Sequence, residues 1–97
     1  MLVALERFDL RIPGCGSLKE KRHVVKSLIG AIRSRFNVSV AEVDHHDLWQ
    51  RTALAVATTG AEPYHVRKVM HEVESFVEAW GGVEVIDATL SLHQQEG

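Results

Sequence analysis

Ninety-seven residues leave room for one hydrophobic core and exclude a second. Apolar residues at 45% and charged residues at 25% describe a globular chain, exclude a disordered one, and nowhere give the ~20-residue apolar run that spans a bilayer. The net charge of −2 hides an asymmetry: residues 1–35 carry eight Lys/Arg against three acids, and residues 36–97 carry three against ten. Such a split points to an anionic partner for one surface, or to complementary surfaces that meet in an oligomer.

Met1–Leu5 is followed at once by Glu6 and Arg7, without the basic start, long apolar run and cleavage site of a secretion signal. A cytoplasmic address is expected. Leu2, Ala4, Phe8, Leu10 and Ile12 alternate with Arg7, Asp9 and Arg11, the period of a strand with one buried face; Glu6 is the exception in the inward set. Pro13-Gly14-Cys15-Gly16 ends that strand. Cys15, the one thiol, has no partner for an internal disulfide or a Cys-rich zinc site. Ser17-Leu18-Lys19-Glu20 has capping-box spacing, and an inward stripe of Leu18, Val25, Leu28, Ile29, Ile32 and Phe36 carries a helix to about Arg35.

Phe36, Val38 and Val40 read as the inward set of a second strand, ended by a polar hairpin turn at Asp44-His45-His46-Asp47. Trp49 to Thr59 reads as a third strand, with Leu54 and Val56 on one face and a small, flat face of Ala53, Ala55 and Ala57 on the other. After a break at 59–63, with Pro63 in a helix first turn, Val66, Val69, Met70, Val73, Phe76, Val77 and Trp80 form the strongest apolar stripe of the chain. Gly81-Gly82 ends it. The last strand spans Val83 to Leu92, with Ile86, Ala88, Leu90 and Leu92 inward and Val85, Asp87 and Thr89 outward, and the final five residues read as frayed.

Two β-α-β units with one-sided helices predict an α+β, ferredoxin-like βαββαβ fold. Its four-stranded antiparallel sheet would carry both helices on one face, in one domain over 1–97. Arg7, Asp9, Arg11, Ala41, Val43, Ala53, Ala55, Val85 and Asp87 would line the other, open face.

Lys19, Lys21, Arg22 and Lys26 crowd the first turns of the first helix, where cations oppose the helix macrodipole. Together with Arg11 and the free N–H groups of a helix start they form a candidate anion or nucleic-acid surface; a solvated basic face is the competing reading. Trp49, Gln50 and Arg51 are candidate partner contacts, Trp49 as a stacking indole or as a rim aromatic. Asp44-His45-His46-Asp47 carries ligand atoms, but four adjacent turn residues do not converge on one ion, so neither metal nor cofactor is expected. No set of nucleophile, acid and base is visible around Cys15 or elsewhere. The acyl-phosphate hydrolysis that some ferredoxin-like folds perform lacks its arginine in the Pro13–Gly16 loop and keeps only Asn37.

Three stretches, Asp9-Leu10-Arg11-Ile12-Pro13-Gly14, Ser17-Leu18-Lys19-Glu20-Lys21-Arg22, and Phe36 to Val43 continuing to Asp47-Leu48-Trp49-Gln50-Arg51, resemble in order and spacing the YlxP-like family of bacterial proteins, a domain of unknown function. Glu6 and Cys15-Gly16 depart from that pattern. The resemblance implies a ferredoxin-like fold and no established activity; its members' frequent gene neighbours, translation initiation and ribosome-maturation factors, tilt the expectation toward RNA or a ribosomal subunit. The functional expectation is a non-catalytic module that contacts RNA through the basic helix start. The alternative is a homodimer formed through the open sheet face, and an enzyme with a small-molecule substrate comes third.

Overall fold

The computed structural model describes residues 1–96. Its elements are β1 (Leu2–Arg11), α1 (Leu18–Arg35), β2 (Ser39–Asp44), β3 (Arg51–Gly60), α2 (Pro63–Glu78) and β4 (Glu84–Gln94). The strands form one antiparallel sheet in the order β2-β3-β1-β4, with a helix following β1 and another following β3, a ferredoxin-like α+β fold. No described helix is long and apolar enough to cross a membrane.

Alternation in β1 and β3 turns Phe8, Leu10, Leu54 and Val56 toward the helices, where they meet Val25, Leu28 and Ile32 of α1 and Val66, Met70, Val73 and Val77 of α2. All are buried, and the loss of their apolar surface to water is the main force holding the layers together. Glu6 lies in the same inward row and is fully buried.

Five features differ from the pattern reading. Val38 gives its N–H to the Phe36 carbonyl at 3.0 Å, so β2 joins the ladder only at Ser39. Gln50 accepts from the Ile12 N–H at 2.9 Å and its side chain donates to the Cys15 carbonyl at 3.3 Å, which ties residues 48–50 to the β1–α1 loop and leaves Trp49 outside β3. Trp80 lies past the end of α2, half-buried against Phe76, rather than in the core. The ladder between β1 and β4 slips after Asp9, so Val85 pairs with inward-facing Leu10 and belongs to the helix side, while Ile86 is left 51% exposed. The chain end is held as well: β4 continues to Gln94, and Gln95 donates to the Met1 carbonyl at 3.0 Å.

Candidate anion-binding surface

The start of α1 is built by the capping box. Ser17 Oγ accepts from the Glu20 N–H at 3.1 Å, and Glu20 Oε2 accepts from the Gly16 N–H at 2.9 Å. Gly14, at φ 72°, takes the left-handed turn that leads into it. Cys15 is buried and its thiol donates to the Ser17 carbonyl at 3.4 Å, so the sulfur helps close the loop.

The four cations of the first turns do not stay together. Lys21 points inward and is only 2% exposed; its ammonium pairs with Glu42 Oε2 at 3.2 Å and donates to the His45 carbonyl. Thr52, also buried, donates to the same Glu42 oxygen. Lys21 therefore anchors α1 to β2 and the following turn and leaves the predicted surface. Lys19, Arg22 and Lys26, at i, i+3 and i+7, fall on the opposite, exposed side of the helix with His23 between them. None of the three is within ion-pairing distance of a carboxylate among the described residues. Gly30 and Arg33 follow on the same side of the helix, but the Arg33 guanidinium turns to β2 and donates to the Val40 carbonyl at 2.7 Å, so the free stripe ends at Lys26.

Arg11 is on the other side of the molecule. Strand parity turns it to the open face of the sheet, directly opposite Arg51, a like-charge cross-strand pair. Arg51 is half-buried and its Nε has no hydrogen-bond partner. Beside this pair Trp49 and Leu48 are each 50% exposed and line a shallow depression of about 410 Å³ with Asp47, Gln50 and Arg51. The expected single cluster is thus two: a helix stripe of Lys19, Arg22 and Lys26, and an open-face group of Arg11, Arg51 and Trp49.

The rest of the open face is charged rather than flat. Arg7 bridges Asp9 at 3.1 Å and Asp44 at 3.2 Å, and His45, at φ 61°, lies 3.8 Å from Asp9. The Arg7 guanidinium holds Asp9 below the usual carboxylate range. The His45 backbone N–H, and then Arg7, do the same for Asp44. Ala53, flanked by Asp9 and Asp44 in the adjoining strands, is fully buried. Among the described residues no three His, Cys, Asp or Glu side chains converge as metal ligands would.

Gln50 stitches DLWQR, ahead of β3, to the β1–α1 loop that leads into SLKEKR, so these parts of the family resemblance share one end of the fold, while Phe36 to Val43 starts from the other end, at the C-terminus of α1. Residues 3–90 match the family described as "Protein of unknown function (DUF503)". The chain belongs to that family. It is 35% identical to the "Uncharacterized protein YlxP" of Bacillus subtilis (strain 168) over 83 residues, which cover 86% of this chain and 90% of that one. The DUF503 description assigns no activity, so function rests on the surfaces themselves.

Proposed function

We propose that this DUF503 protein is a non-catalytic binding module that lays the exposed stripe of α1 against the phosphate backbone of RNA, free or in a ribosomal subunit, in the cytoplasm. The observation that carries the reading is the division of labour within one run of cations. The lysine that turns inward is matched by a carboxylate, whereas Lys19, Arg22 and Lys26 face solvent unmatched. Lys19 and Lys26 are about 10 Å apart along the helix, so the stripe spans neighbouring phosphates rather than one. Contacts of this kind position a protein on a nucleic acid without reading sequence. Binding is then weakly sequence-specific and strongly salt-dependent.

The test is retention on RNA and on ribosomal subunits at low and high salt. The triple variant Lys19→Glu, Arg22→Glu, Lys26→Glu is expected to lose binding while keeping its circular dichroism spectrum. Unchanged retention would remove the proposal. Reversal at Lys21 is not equivalent, because it places a second, buried carboxylate against half-buried Glu42 and tests the fold instead.

A further inference from the structure

The two edges of the sheet are built differently. β2 is six residues long, its ladder slips between Glu42 and Asp44, Glu42 turns a charge toward the helix side, and Arg33 Nη2 donates to the Val40 carbonyl at 2.7 Å. Shortness, a bulge and charge are the devices that keep an edge from accepting another strand. β4 carries its bulge and its two acids, Glu84 and Asp87, at its start and none of these devices from Ala88 to Gln94. It is the longest strand, with eleven residues and no Lys, Arg or Pro, and it pairs regularly with β1 from Asp87 to Gln94. Leu90 remains 36% exposed in the middle of that run.

The backbone shows which groups are free. Gln95 N–H donates to the Met1 carbonyl at 3.0 Å and the Met1 amino group donates back to the Gln95 carbonyl at 3.4 Å, so these two form a hydrogen-bonded pair. Such pairs alternate along an antiparallel ladder. Val3/His93, Leu5/Ser91, Arg7/Thr89 and Asp9/Asp87 are therefore the next pairs, and the N–H and C=O of Ala88, Leu90 and Leu92 point away from β1.

We propose that this edge pairs with the same edge of a second copy, antiparallel about a two-fold axis at Leu90, to give a continuous eight-stranded sheet. Leu90 then stands opposite its own symmetry mate, and Ala88 opposite the second copy's Leu92. These three pairs use the outward groups to form about six new backbone hydrogen bonds. The helix side of the new seam is apolar. On the other face Thr89 meets the second copy's Ser91, and Asp87 meets the second copy's His93, once on each side of the axis, with no like charges opposed. Moving the axis to Thr89 sets Asp87 against Ser91 and His93 against Val85, and both acid–histidine pairs are lost. A register that sets each Asp87 carboxylate against a His93 ring, twice by symmetry, is what selects a second copy over an unrelated strand.

Sedimentation equilibrium of the intact chain from micromolar to millimolar concentration tests this, with a dimer expected. Ala88→Pro removes an outward N–H that has no partner within the chain, so a monomer is expected whose thermal midpoint matches that of the wild-type chain diluted until it dissociates. Leu90→Cys reads the register: directly opposed residues of a hydrogen-bonded pair lie about 5.5 Å apart at Cα, within disulfide reach, so mild oxidation should cross-link this variant. Wild-type protein, whose Cys15 is buried, should not cross-link. A wild-type monomer throughout, or a dimer that survives Ala88→Pro, overturns the proposal. Faster cross-linking of Thr89→Cys than of Leu90→Cys overturns the register.

Discussion

Glu6 sits on the inward row of β1 with no exposed surface and no hydrogen-bond partner for either oxygen. Burial first, then Glu74 and Glu78 of α2, push its carboxyl from 4.5 up to about 8, so it folds in the protonated form at neutral pH. A folded-state value above the unfolded one means that the native state holds the proton more tightly. The resulting stability is fully present below about pH 4.5 and is lost as pH rises through about 8. Glu6→Gln keeps the shape and removes the titration. Its thermal midpoint is expected to change little between those limits, while that of the wild-type chain falls; a wild-type midpoint independent of pH across this window would refute the assignment.

That buried acid was legible as a break in the alternation, and it marks how far element-level patterns carry. The capping box located the start of α1 because its chemistry is local, a hydroxyl and a carboxylate satisfying two nearby amides. The inward turn of Lys21 was not legible, because its partners come from β2 and the following turn and only the fold brings them to the helix. Arg11 shows the same gap in another form. Adjacent to the helix start in sequence, it is sent to the far face by strand parity, which alternation contains once the buried side of β1 is known. The ladder slip that reverses Val85 has no signal in composition, since Val85 and Ile86 are both apolar and either can serve as the inward residue.

Within α1, Gly30 lies on the exposed line with nothing within 4 Å of where a Cβ would stand. A glycine in a helix interior costs about 0.5–1 kcal/mol relative to alanine, and here no contact within the chain requires it. Gly30→Ala is expected to raise stability by that amount in urea titration. A neutral or destabilising result would show that the helix at this point is not in open solvent.

At the scale of the whole molecule the two proposals meet. The acidic second part of the chain places Glu72, Glu74 and Glu78 on α2, beside α1 and on the same side of the sheet, so a protein of net charge −2 gains no long-range attraction to RNA. Screening confines such repulsion to roughly 8 Å at physiological ionic strength, and only side chains that touch phosphate then contribute. Pairing through β4 about an axis normal to the sheet keeps both helix layers on one side, so a dimer presents two α1 stripes in the same direction. Three phosphate contacts give a slope of about −3 for log K against log salt concentration, and two stripes engaged on one RNA give about −5. The slope for wild-type protein is therefore expected to exceed that of the charge-neutral Ala88→Pro variant by nearly a factor of two. Equal slopes would mean that each stripe binds alone and that pairing of the edges adds nothing to contact with RNA.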